Sequence, residues 1–175
     1  MSHFKIRQKV VMIIDINTYL KLMNYKSVLL LLLGLMVYPL AQVSAQDVQG
    51  DDILGVWLNE DKDAHIEIYK DGGKYFGKII WVKEPIDEET GQPKLDKNNQ
   101  DESLRSRPTL GLMLLRNFEF DDDDEWEDGK IYDPKNGKDY SCYIEFKDET
   151  KNLLKVRGYI GIAMLGRTTY WTRVK

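Results

Sequence analysis

From residue 53 onward, apolar side chains recur at every second position rather than every third or fourth. Ile66 and Ile68 alternate with His65, Glu67 and Tyr69. In 138–147, Tyr140, Cys142, Ile144 and Phe146 face one way while Ser141, Tyr143, Glu145 and Lys147 face the other. In 153–162, Leu154, Val156, Gly158 and Ile160 form the inward set, and Lys155, Arg157 and Tyr159 the outward one. Period-two alternation marks a strand with one buried face. It predicts strands over 53–58, 64–70, 74–83, 112–120, 125–132, 138–147, 153–162 and 167–174.

Turn signals separate these segments. Asp71-Gly72-Gly73 makes a tight turn, because glycine supplies positive φ without strain. Asp133-Pro134-Lys135-Asn136-Gly137 makes a hairpin loop ending in Asn-Gly, the strongest short turn signal. Eight antiparallel strands in hairpin order predict an all-β fold, an up-and-down β-barrel whose closure removes the edge strands. A two-sheet sandwich is the competing arrangement. A barrel of eight strands is just wide enough to hold side chains or one small ligand. The rhythm breaks at 84–108, a long polar segment with a short helix expected near 103–105; loops of this length are functional lids or disordered.

The first 45 residues read differently. Residues 28–41 are uncharged and largely apolar, follow Lys21 and Lys26, and precede Val43-Ser44-Ala45. That is the three-part layout of a secretory signal peptide over 23–45. The run is shorter than the roughly 20 residues that span a bilayer. No Cys lies near the cleavage site, against a lipoprotein anchor. Residues 1–22 read as an upstream extension preceding a true start at Met23. The expectation is therefore an exported protein, periplasmic or extracellular, with a single domain over 46–175 and no stable membrane span after cleavage.

Charge follows from this division. Of 25 cations and 29 anions in the 175 residues, five cations and one anion lie in 1–45, so the remainder carries 20 against 28, a net charge of −8. So acidic a chain repels phosphate backbones, which argues against nucleic acid as a partner. One Cys excludes a disulfide framework, and two His exclude a His-rich metal centre.

Two sets of residues resemble known families. Gly55-Val56-Trp57 in the first strand with Arg173 in the last resembles the lipocalins, in which the tryptophan of Gly-x-Trp closes one barrel end and a late-strand arginine packs across it. Four longer blocks resemble the bacterial domain-of-unknown-function family 2147 (DUF2147), small exported lipocalin-like proteins. They are Ile53-Leu54-Gly55-Val56-Trp57, Gly77-Lys78-Ile79-Ile80-Trp81, the run from Trp126 to Pro134, and the run from Leu165 to Arg173. Leu104-Arg105-Ser106-Arg107-Pro108 and Arg157-Gly158-Tyr159-Ile160-Gly161 also fit, so the resemblance covers nearly all of 52–175. It implies an exported small β-barrel and no particular reaction.

The candidate chemistry is sparse. Cys142 sits on an apolar face without the base and electropositive setting a nucleophile needs, and reads as core. No cluster offers the three or four ligands of a zinc site. Asp121-Asp122-Asp123-Asp124-Glu125 lacks the spaced acids and central glycine of a calcium loop and reads as a solvated hairpin tip. Asp128 and Asp133 could pair as acid and base, but Asp133 also suits a turn cap before Pro134. No catalytic residue, metal or cofactor is expected.

What remains is an aromatic and arginine set. Trp57, Trp81, Tyr132, Tyr140, Tyr159 and Trp171 are spread over many strands, with Arg105 and Arg107 in the long loop and Arg167 at the start of the last strand. Aromatic walls with a few placed polar groups are what ligand pockets are made of, and arginine can clamp a carboxylate. These nine residues are the expected ligand-binding set, for a small apolar or amphipathic molecule. The alternative is a filled barrel working through its outer face on a cell-envelope component.

Overall fold

The computed structural model describes residues 47–121 and 124–174. The expected upstream extension and signal peptide lie outside the described residues, as do Asp122 and Asp123 of the acidic turn. Eight strands form a closed barrel, each pairing with its neighbour in chain order. They are β1 (Gly55–Leu58), β2 (Ala64–Asp71), β3 (Lys74–Val82), β4 (Met113–Phe120), β5 (Glu125–Asp133), β6 (Lys138–Phe146), β7 (Leu153–Tyr159) and β8 (Gly166–Arg173). All pairs are antiparallel, and β8 closes on β1 through Trp57 opposite Arg173 and Leu58 opposite Thr172. That last pair removes both sheet edges and rules out the sandwich.

The expected alternation holds along most of the wall. Ile66, Ile68, Cys142, Ile144, Leu154 and Val156 are all buried, and burial pushes the Cys142 thiol well above its ordinary pKa. Two local readings change. Ile53 belongs to a 3-10 turn, Gly50–Ile53, rather than to the first strand. The seventh strand ends at Tyr159, so Ile160 is not an inward strand residue but is 65% exposed beyond it.

One end of the barrel is filled. Trp126 meets Phe146 edge-on at 5.3 Å between ring centres, and Trp57 lies 6.3 Å from Phe146. The 3-10 turn plugs this end and is tied to both indoles: Trp57 Nε1–H donates to the Ile53 carbonyl at 2.9 Å, and Trp126 Nε1–H to that of Gly50 at 3.0 Å. Phe118 packs flat on the backbone at Gly129, where a Cβ would stand 2.4 Å from the ring. Only glycine permits that approach.

Candidate functional site

The other half of the barrel is open. A cavity of about 840 Å³ enters it between the β1–β2, β3–β4, β5–β6 and β7–β8 connections. Its floor is aliphatic and aromatic, formed by Ile66, Ile79, Leu114, Val156 and Trp171, all at most 7% exposed. Alternation supplies Ile66, Ile79, Val156 and Trp171 on the inward faces of their strands; Leu114 joins them at a register shift in the β3–β4 pairing, where its neighbour Leu115 is buried too. The rim is charged. Lys135 bonds Asp61 at 2.6 Å and approaches Asp63 at 3.6 Å, joining the β5–β6 hairpin to the β1–β2 loop. Lys94 pairs with Glu84 and Lys97 with Asp87 along the long loop. The Lys135 bond holds the Asp61 carboxyl below its usual range and raises the lysine above its own.

The segment 84–108 is ordered by its own hydrogen bonds. Two isolated bridges, Ile86 with Pro93 and Leu95 with Pro108, fold it into a narrow double strand, and a 3-10 turn spans Glu102–Leu104. A buried polar cluster pins it to the barrel. The Asp96 side chain is fully buried; it accepts from Arg107 Nε at 2.9 Å, from Asn99 Nδ2 at 2.9 Å and from the Tyr132 hydroxyl at 2.6 Å. Every buried charge needs such compensation. Burial, then the bond to Asp96, raises the Tyr132 phenol above its ordinary pKa. Further along, Asn98 Nδ2 donates to the carbonyls of Pro134 and Lys135, fastening the loop to the β5–β6 hairpin.

The nine expected residues divide. Tyr132, Tyr140, Tyr159, Arg167 and Trp171 line the cavity. Trp57, Trp81, Arg105 and Arg107 do not. Trp57 is wholly buried in the closed end, with the Arg173 guanidinium 4.1 Å over its ring, the contact that the lipocalin resemblance implies. Trp81 faces out because a register shift between His65 and Ile66 sets it beside His65, rings 4.5 Å apart, on the outer surface. Arg107 is held by Asp96 and lies over the Tyr132 ring at 5.5 Å, and Arg105 donates Nε–H to the Asn99 carbonyl at 2.7 Å. Both arginines hold the loop instead of facing the cavity.

Sequence reasoning missed the aliphatic floor and the rim lysines. All of the floor except Leu114 was visible in the alternation; its being unfilled was not. Among the described residues, no group of three or more His, Cys, Asp or Glu side chains could hold a metal ion. Nor is any described helix long and apolar enough to cross a membrane.

The comparisons agree with this geometry. A solved structure of protein HP1028 from the human pathogen Helicobacter pylori, described as belonging to the lipocalin family, is similar over 73% of this chain and 84% of that one, with a TM-score of 0.60 and 21% identity. At that identity the likeness is one of fold. No curated protein sequence matches the chain. A family model described as an uncharacterized protein conserved in bacteria matches residues 55–173, from the first strand of the barrel to the last. The chain thus belongs to the DUF2147 family, built as a lipocalin-like eight-stranded barrel.

Proposed function

We propose that this protein binds one small apolar or amphipathic molecule in the open half of its barrel, with the apolar portion against Trp171 and the polar end at the charged rim. The observation that carries this is the cavity of about 840 Å³ with a closed, apolar floor. That size falls in the roughly 300–1,000 Å³ range of small-molecule sites. Removing an acyl chain from water is favourable by about 0.8 kcal/mol for each buried CH₂. The rim, with Arg167 and Lys135 beside Asp61 and Asp63, keeps a polar end solvated and hydrogen-bonded. A filled barrel would need bulky side chains meeting across the whole interior, and here they meet only in the closed half.

Titration with a fluorescent C18 fatty acid, excited by energy transfer from tryptophan, tests the reading. Trp171 in the wall makes a saturable, one-to-one signal the expected result. No saturable signal with the fatty acid, its alcohol or a lysophospholipid would sink the proposal. The apolar run of 28–41 and the small residues Val43 and Ala45 support export to the periplasm or beyond. Sequencing the N-terminus of the protein recovered from cells tests that part, with Gln46 expected as the first residue.

A further inference from the structure

The cavity rim carries a second feature. The β7–β8 connection leaves four large apolar side chains in solvent: Ile160 is 65% exposed, Ile162 59%, Met164 82% and Leu165 72%. From Gly158 to Gly166 no residue is charged, and an arginine stands on either side, Arg157 and Arg167. The backbone of this loop is held in place. Arg157 donates Nε–H to the Ala163 carbonyl at 2.8 Å, Nη2–H to that of Met164 at 3.2 Å and Nη1–H to the Thr168 hydroxyl at 2.7 Å. The guanidinium thereby satisfies carbonyls that would otherwise resist leaving water. Ile160 and Leu165 also line the cavity, so the apolar tip is continuous with the barrel interior.

We propose that this loop is a membrane-docking tip, which inserts Ile162 and Met164 into the boundary between headgroups and acyl chains of an anionic phospholipid bilayer and sets the cavity mouth against the lipid. The proposal rests on the cavity-binding reading for its purpose, since a ligand with an acyl chain would then enter without crossing water. A bilayer suits the tip better than a protein does. A stable protein interface takes about 800 Å² from each partner, and one narrow loop cannot supply it. Insertion into lipid needs only a few apolar side chains with cations at headgroup level, and Arg167 stands at the base of the tip. The rim carboxylates beside the tip, Asp61, Asp63, Glu84 and Asp87, are each paired with a lysine, which reduces their repulsion from an anionic surface during a tip-first approach.

A polarity-sensitive fluorophore on Met164→Cys tests this with vesicles of phosphatidylglycerol and phosphatidylethanolamine. Buried Cys142 escapes labelling, and the same label on Glu149→Cys, at the opposite end of the barrel, serves as the reference. The expected result is a blue shift at position 164 and none at 149, with Ile162→Glu reducing vesicle partition by about tenfold or more. A label at 164 that stays aqueous while the protein is on the vesicles would overturn the proposal. So would a shift that grows with protein concentration without lipid, which would assign the tip to a second copy of the chain. Fatty-acid binding without vesicles separates the two readings. Its persistence in Ile162→Glu supports a tip distinct from the cavity. Its absence in the wild type, with the shift at 164 intact, would overturn the cavity reading alone.

Discussion

Arg107 grips the buried carboxylate of Asp96 through two nitrogens on one oxygen, Nε at 2.9 Å and Nη2 at 2.8 Å. The pair holds residues 84–108 against the barrel mouth. Removing one partner leaves the other's charge buried, which costs far more than the pair's net contribution. Arg107→Ala is expected to destabilise by about 2–3 kcal/mol. Amide exchange should rise first across 84–108 and only later in the strands. Uniform exchange across the barrel would show instead that the pair supports the whole fold.

Arg173 joins three carbonyls to one indole. It donates to Asp52, Leu54 and Lys151 while stacking on Trp57. A lysine keeps the charge but loses the planar fork and most of the stack. Arg173→Lys should cost about 1–2 kcal/mol, and Trp57→Ala about 3–5 kcal/mol through the cavity it leaves. Urea denaturation would measure both. Equal losses in the two variants would mean that the stack itself dominates over packing.

Gly137 meets two demands at once. Its φ is +72°, and a Cβ there would stand 1.8 Å from the Asn98 carbonyl oxygen. Backbone cannot yield as a flexible side chain could. Gly137→Ala is therefore expected to lose at least about 1 kcal/mol and to free Asn98 from the hairpin, read as faster proteolysis within 84–108. Wild-type stability in that variant would contradict the contact.

A carboxyl pair gives a pH signature at the closed end. Glu125 faces Glu145 across β5 and β6, with Asp121 and Lys155 nearby, and burial together with the Glu145 bond raises its pKa to about 7. Lys155 bonds Glu145 at 2.7 Å and favours that residue as the charged member. A carboxyl raised in the folded state is held protonated, so its stabilising effect is complete below the unfolded pKa of 4.5 and is lost as pH rises through about 7. Glu125→Gln mimics the protonated form. Its Tm should exceed that of the wild type by a few degrees at pH 8, and the gap should close near pH 5. A pH-independent gap would remove the titration from the explanation.

Thr169 lines the cavity between Arg167 and Trp171 on the inward face of β8. Thr169→Trp fills empty space, so it avoids most of the strain of overpacking a dense core. The expected outcome is a loss of about tenfold or more in fatty-acid affinity, or 1.4 kcal/mol, with Tm little changed. Unchanged affinity would place the ligand elsewhere on the protein.

The strands and turns of the barrel are written into local sequence. Period-two alternation and Gly-containing turns dictate eight hairpin-linked strands, and the Gly-x-Trp and late arginine foreshadow the Trp57–Arg173 stack. The strands and turns follow from short-range physics, since side chains alternate along any strand and each turn needs its own residues; the stack between the first and last strands was legible only through the family resemblance. What tertiary structure alone decided is where each aromatic or arginine ends up. A one-residue register shift turns Trp81 to the outside, and a single buried aspartate far along the chain from Tyr132 draws Arg107 away from the cavity. Whether the interior is full depends on side-chain volumes summed across all eight walls. Trp57, Trp126 and Phe146 fill one end, while the smaller Ala64, Val156 and Gly158 leave the other open, a balance that no single strand contains.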